Sequence, residues 1–333
     1  MQTGDSQQQT LPQRQTLAAS RRTVLVSVNP RAGYRDRSAA AEHLSEALAG
    51  HGFTTEQFTD IALLKARAEE LHAADQLRAA VAAGGDGTIA LLANITPHGA
   101  PLAIMPLGTE NLLARHLGLS AEPAAVAQVI ADGITHSFDM GDAGGRLFSL
   151  MAGCGFDAEV VRRLHTERKG NIHHLSYIKP IFEAIRTYEY PELRVRYAPT
   201  DAAAGTELTE ELTARWVFVV NIPRYAGGLN LALGAAGDDG LLDVCTFREG
   251  SLWNGLLYLG GIMLGQQQSM TDFTHIRTRQ LRIEASTDVP FQLDGDPGGT
   301  LPVEICVRPG RLNLLVAREW AEKQAASQIA ANQ

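Results

Sequence analysis

The chain has 333 residues, 45% of them hydrophobic and 20% charged, which is enough apolar sequence for two folded domains and excludes a disordered or fibrous protein. A formal net charge of −8 without a long Lys/Arg run excludes broad nucleic-acid binding, so an anionic ligand must be held by local geometry. Cys154, Cys245 and Cys306 are far apart and have no partner ligand at zinc spacing, which predicts buried thiols, no disulfide and no structural zinc.

Residues 1–21 are rich in Gln, Thr and Ser without an apolar core, and read as a disordered leader of a cytoplasmic protein. An α/β domain is expected over residues 22–137. Its first strand, residues 23–28, ends in Asn29-Pro30-Arg31-Ala32-Gly33, after which Ser38 can cap a helix reaching Gly50. Residues 53–59 read as a second strand, 63–72 as a helix, 79–83 as a third strand, 101–106 as a fourth and 110–117 as a helix, with Thr109 a candidate cap. Such alternation predicts a parallel sheet covered by helices, with the loops at the carboxyl ends of the strands lining a ligand crevice.

The sharpest of those loops is Gly84-Gly85-Asp86-Gly87-Thr88, between an apolar strand and an apolar helix. Glycines let the backbone approach a ligand closely, and the free N–H groups of the following helix favour phosphate. The spacing is neither the dinucleotide fingerprint nor a Walker A loop. An Asp beside bound phosphate needs a Mg²⁺ ion or a substrate hydroxyl between the charges, which points to phosphoryl transfer.

Residues 134–139 read as a crossover into a β-rich region, residues 138–310, predicted as an antiparallel, sandwich-like second domain. Its strands are expected at 147–151, 216–221, 241–247, 281–285, 291–293 and 302–307, with a hairpin tip over 200–213. Residues 311–333 are expected to form a strand and a helix that return to the first domain. Tyr177, Ile178, Ile181, Phe182, Ile185 and Tyr188 share one helical face, suited to core packing or to lipid. Before it, Arg162, Arg163, His165, Arg168, Lys169, His173 and His174 form a basic patch, either a solvated face or an attraction for anionic headgroups or phosphates. The apolar stretch 252–264 is too short to span a bilayer.

Taken in order, these motifs resemble the diacylglycerol kinase catalytic family, which includes bacterial lipid kinases and sphingosine kinases and has NAD kinases as more distant relatives. Residues 29–33 resemble its N-P-x-x-G loop, 84–88 its G-G-D-G-T turn and 106–111 its P-x-G-T-x-N stretch. Gly155-Phe156-Asp157-Ala158 resembles G-F-D-A, Asp239-Gly240-Leu241-Leu242-Asp243 resembles D-G-L-x-D, and Asp294-Gly295-Asp296 stands where the family has D-G-E.

The resemblance implies an ATP-dependent lipid kinase with ATP and Mg²⁺ as cofactors, a lipid acceptor met by peripheral contact with a membrane, and no nucleic-acid partner. A homodimer is the default assembly. The nucleotide contacts it implies are Asn29, Pro30, Arg31, Ala32, Gly33, Thr59, Gly84, Gly85, Asp86, Gly87, Thr88, Thr109 and Asn111. Asp239, with the carbonyls of Ala236 and Leu241, matches the family's structural Mg²⁺ site. Asp296 is the expected base, one methylene shorter than the family's Glu, with Asp294 and Asp86 placed to orient the hydroxyl or hold Mg²⁺. Leu112 stands where many bacterial members carry Asp. A kinase for a soluble nucleotide such as NAD, or a nucleotide sensor without catalysis, are the alternative readings.

Overall fold

The computed structural model describes residues 14–28, 37–166, 187–203, 205–225 and 229–331. The loop of Asn29, Pro30, Arg31, Ala32 and Gly33, the basic residues Arg168, Lys169, His173 and His174, and the helical face from Tyr177 to Ile185 lie outside the described residues. The chain enters through a short strand, β1 (Arg14–Thr16), and then alternates: β2 (Thr23–Val28), α1 (Arg37–Gly50), β3 (Thr54–Phe58), α2 (Ile61–Ala73), β4 (Leu77–Gly84), α3 (Asp86–Ile95), β5 (Pro101–Pro106), α4 (Leu112–His116) and α5 (Pro123–Asp132). Strands β3, β2, β4 and β5 are neighbours in that order and parallel throughout. β4 is central and buried on both faces. Ala79, Val81 and Ala83 meet a core that includes α1 and α5, while Ala80 and Ala82 face α3 and α4. Small side chains suit a strand pressed by helices from both sides.

The second half contains β6 (Ile134–Ala143), β7 (Arg146–Phe148), β8 (Met151–Gly155), α6 (Phe156–Thr166), β9 (Leu193–Tyr197), β10 (Glu210–Ala214), β11 (Trp216–Val220), the ribbon β12 (Arg224–Tyr225) with β13 (Leu229–Asn230), and β14 (Leu242–Phe247). There follow α7 (Leu252–Met263), β15 (Phe273–Thr278), β16 (Gln280–Ala285), β17 (Pro290–Leu293), β18 (Asp296–Thr300), β19 (Val303–Leu315) and α8 (Arg318–Ala331). A six-stranded antiparallel sheet, ordered β15-β14-β11-β8-β17-β18, forms one leaf of the expected sandwich. The other leaf, β10-β9-β16, is no separate sheet. β19 joins it to the parallel strands, pairing antiparallel with β16 through Cys306 and parallel with β5 through Asn313 and Leu314.

In β11, Val217 and Val219 face the sandwich interior, while Trp216, Phe218 and Val220 face a second core shared with α4 and α7. Both faces of this central strand are therefore buried, which explains why its sequence shows no polar alternation.

Several boundaries differ from the sequence reading. Residues 134–139 are not a linker but the first part of the ten-residue strand β6, antiparallel to β19 in the large sheet. The strand expected at 147–151 is broken at Ser149 and Leu150, because the amides of 149, 150 and 151 turn to the carboxylate of Asp294. The strand expected at 302–307 runs on to Leu315 past a bulge. Ser38 lies inside α1 and not at its cap, and the helix after β5 is only five residues long, with Asn111 and not Thr109 at its N-cap position. All three cysteines are free, with Cys306 half-buried and not buried. No helix among the described residues is long and apolar enough to cross a membrane.

Where the two sheets meet, the buried Asp139 of β6 accepts from Gly310 N at 2.8 Å with one carboxylate oxygen and from Gly240 N at 2.6 Å with the other. Its own N–H donates to Gly237 O at 2.7 Å. Burial pushes its carboxyl above the usual range despite the amide donors, and the charges of Asp239 and Asp238 add to the rise. An unsatisfied buried amide costs on the order of 1–3 kcal/mol, so Asp139→Ala should lose about 3 kcal/mol and Asp139→Asn, which keeps one acceptor oxygen, about half of that. Urea unfolding midpoints of the three proteins measure it; equal midpoints would show that the two turns stand without Asp139.

Candidate active site

The site is built at the carboxyl ends of β4 and β5. Gly84 closes β4, and a Cβ added to it would fall 2.2 Å from Thr88 Oγ1, so the Thr88 side chain folds back over the bare glycine. Gly85 and Gly108 touch backbone to backbone: a Cβ on Gly108 would lie 2.5 Å from Gly85 Cα. Only glycine permits that approach. Leu107 N donates to Gly84 O at 3.0 Å and locks the two loops together. Asn111, in the left-handed region with φ 49°, braces its own loop: its Oδ1 accepts from Gly108 N at 2.9 Å and its Nδ2 donates to Gly108 O at 2.9 Å. Thr109 is exposed in that loop, and Thr59 is exposed just past the end of β3, at the same edge of the sheet.

Asp86 points away from the loop tip. Its Oδ2 accepts from Leu112 N at 2.9 Å and its Oδ1 from Leu113 N at 3.1 Å, so it caps α4 from a different segment. Burial pushes its carboxyl above the usual range against those two hydrogen bonds, with the charge of Glu110 in the same direction. The Leu112 side chain is buried in the shared core; its amide, not its side chain, meets Asp86.

Across the cleft, Asp294 and Gly295 form the two-residue turn between β17 and β18, both at positive φ (50° and 86°), the geometry that Asp-Gly favours in hairpins. Asp294 collects four donors: Ser149 N at 2.7 Å, Ser149 Oγ at 3.0 Å, Leu150 N at 2.8 Å and Met151 N at 2.9 Å. Below the turn, buried Gln292 accepts from Gly295 N at 2.7 Å and donates to Asp157 Oδ2 at 2.8 Å. A Cβ on Gly153 would lie 2.1 Å from that same Asp157 oxygen, which accounts for the glycine that precedes the Gly155-Phe156-Asp157-Ala158 stretch.

Asp296 is different. It is exposed, accepts no side-chain hydrogen bond among the described residues, and its Oδ2 lies 3.5 Å from where a Cβ of Gly87 would stand. The hairpin thus carries one uncommitted carboxylate to the glycine turn of the first domain. Arg146 of β7, which the sequence reading passed over, donates to Pro297 O at 2.7 Å and brings a cation to the same hairpin. Its isolation in the sequence left no local signal.

The loop that the resemblance assigns to a structural cation is held by side chains and amides. Asp239 Oδ2 is paired with Arg277, and Asp239 Oδ1 accepts from Leu241 N at 3.0 Å. Arg279 donates to Gly240 O at 2.8 Å, and His136 Nε2 lies 2.8 Å from Asp238. Of the donors in the loop holding Ala236, Asp239 and Leu241, the Asp239 carboxylate is thus shared with a guanidinium. Asp239 is the one carboxylate among the three donors, and no group of three His, Cys, Asp or Glu suited to a metal occurs among the described residues.

This pairing of domains is a known one. The crystal structure of a diacylglycerol kinase from Bacillus anthracis superposes on 91% of this chain and 99% of that one, with a TM-score of 0.66 at 23% identity, which establishes the fold. Residues 23–143 match the family described as diacylglycerol kinase catalytic domain, and residues 151–316 that described as YegS C-terminal NAD kinase beta sandwich-like domain. A Pseudomonas aeruginosa protein named probable lipid kinase YegS-like is 31% identical over 242 residues, 70% of this chain and 75% of that protein. An uncharacterized Synechocystis protein is 27% identical over 248 residues, 72% of this chain but 55% of its own length. The chain belongs to the diacylglycerol kinase catalytic family, and the fold expected from its sequence is the one it has.

Burial pushes Asp294 up to about 6, from an ordinary 3.8, against its four hydrogen bonds. With the folded value above the unfolded one, the native protein holds an extra proton between those pH values, so stability falls as pH rises from about 4 to about 6. Asp294→Asn should remove that slope, at most about 1.4 kcal/mol per pH unit. Denaturant midpoints of both proteins from pH 4 to 7 test this; parallel profiles would place the Asp294 proton elsewhere.

Proposed function

We propose that the protein transfers the γ-phosphoryl group of ATP to a lipid hydroxyl. The observation that carries this reading is the uncommitted carboxylate of Asp296 beside Gly87. Asp86 and Asp294 are each occupied by backbone amides of other segments, whereas Asp296 is free to accept a proton.

In this reading the amide-rich turn 84–88 and the amino end of α3 hold the nucleotide phosphates. An acceptor hydroxyl lies between Asp296 and the γ-phosphorus. As its oxygen bonds to phosphorus, the hydroxyl proton passes to Asp296, the bond from γ-phosphorus to the bridging oxygen breaks, and ADP leaves with that electron pair. Asp294, Gln292 and Asp157 act through the backbone: they hold the turn so that Asp296 faces the cleft. Mg²⁺ would enter as the counter-ion of the nucleotide phosphates. A lipid acceptor, which the relatives' names support, requires work at a membrane surface.

Loss of a general base typically costs 10²–10⁴ in rate, so Asp296→Ala should lower kcat at least about 100-fold with KM for ATP changed less than about threefold. Asp296→Glu, the residue that the resemblance leads one to expect there, should retain measurable activity. The assay is transfer from γ-labelled ATP into a total lipid extract. Label in NAD in place of lipid would move the acceptor to a soluble nucleotide, and ATP binding with no transfer to either would make the protein a sensor. Gly108→Ala tests the nucleotide loops separately: overpacking against Gly85 should weaken ATP binding about tenfold or more, and unchanged affinity would remove the loops from the site.

A further inference from the structure

Of the eight exposed large apolar side chains among the described residues, five lie on α7 and its C-cap: Trp253, Leu256, Leu257, Met263 and Leu264. Their spacing puts them on one stripe of the helix, continued by Gly260, where an added Cβ would meet nothing within 4 Å. Trp253, Met263 and Leu264 are each at least 70% exposed. The opposite stripe is firmly seated. Tyr258 stacks on Phe247 at 4.2 Å and meets Trp216 edge-on at 5.6 Å, Ile262 is buried, and Ser251 caps the helix by accepting from Asn254 N at 3.1 Å. The helix is thus rigidly held while its outer face is fully apolar, beyond the single scattered residues a soluble surface normally shows.

The sequence around it narrows what can cover that face. From position 250 to 271 no residue is Asp, Glu, Lys, Arg or His, so the stripe offers nothing to a charged partner. At 12 residues the helix is about 18 Å long, short of the ~30 Å bilayer core, and so lies in a membrane surface and does not cross it. One face of such a helix covers on the order of 200 Å², well below the ~800 Å² per partner of a stable dimer. The formal charge of −8 disfavours an approach to anionic lipid.

We infer that α7 docks flat into the headgroup and acyl boundary of an uncharged, zwitterionic bilayer, with Trp253 and Met263 at opposite ends of the inserted stripe. The choice of a bilayer as occupant rests on the lipid-kinase reading. α7 stands on β11 and β14 of the six-stranded sheet whose β17–β18 turn carries Asp296. Docking would therefore hold one rigid sheet, with α7 on the membrane and Asp296 at the cleft.

The test is co-sedimentation of the full chain with phosphatidylcholine vesicles, beside the triple variant Trp253→Ser, Leu257→Ser, Met263→Ser. Wild type should bind, with little dependence on salt, and the variant should partition about 100-fold more weakly at an unchanged melting temperature. Because binding is read without catalysis, vesicle binding with no transfer to lipid upholds the docking and removes the lipid-kinase reading. Transfer into lipid by a wild type that does not bind vesicles overturns the docking alone. Equal binding by the variant, or salt-sensitive binding confined to anionic vesicles, also overturns it. So does wild-type self-association lost in the variant without vesicle binding, which would assign the face to a second copy.

Discussion

Everything that gives this protein a cleft depends on one buried carboxylate at the junction of its two sheets. Asp139 accepts the amides of Gly310, in the bulge of β19, and of Gly240, in the turn before β14. Its carbonyl accepts from Asn221, which also holds Ser149 O. Backbone donors taken out of water must find acceptors, and here a single side chain supplies them for turns from two sheets. With those turns pinned, β19 can run from the sandwich into the parallel sheet without a hinge, and the strand ends that carry function are held at a constant separation.

The same economy governs the motif aspartates. Asp86, Asp294 and Asp296 look equivalent as chemistry, yet two of them spend both oxygens on amides: Asp86 on the start of α4, Asp294 on the bend between β7 and β8. A carboxylate so engaged orders the backbone around it. Asp296, beyond the turn that Asp294 and Gln292 fix, is exposed at the glycine loop. The division of labour follows from environment and not from residue type.

The six-stranded sheet connects this chemistry to the surface. Its inner face closes the sandwich, and on its outer face Trp216 of β11 and Phe247 of β14 meet Phe156 of α6, Tyr190 of the segment before β9 and Tyr258 of α7 itself, which seats the helix. Large rings that interlock at 4–6 Å make a stiff platform. A helix on such a platform is joined to the strand that carries Asp296 by continuous close packing and not by a flexible link.

What the sequence by itself determined was local. Alternating strands and helices required a parallel sheet, and the glycines at 84, 85 and 108 marked where backbones approach without Cβ atoms. Motif order, Asp294-Gly295-Asp296 included, pointed to the family. What only the tertiary structure decided were partnerships across long separations: that 134–139 is a strand of the large sheet, that one leaf of the sandwich continues the first domain, and that Asp294 takes the amides of residues some 145 positions earlier. A periodic pattern reports which face a side chain turns to, and is blind to which distant carboxylate will satisfy a backbone amide. The surroundings of Asp86, Asp139 and Asp296 were therefore decided only by the folded chain.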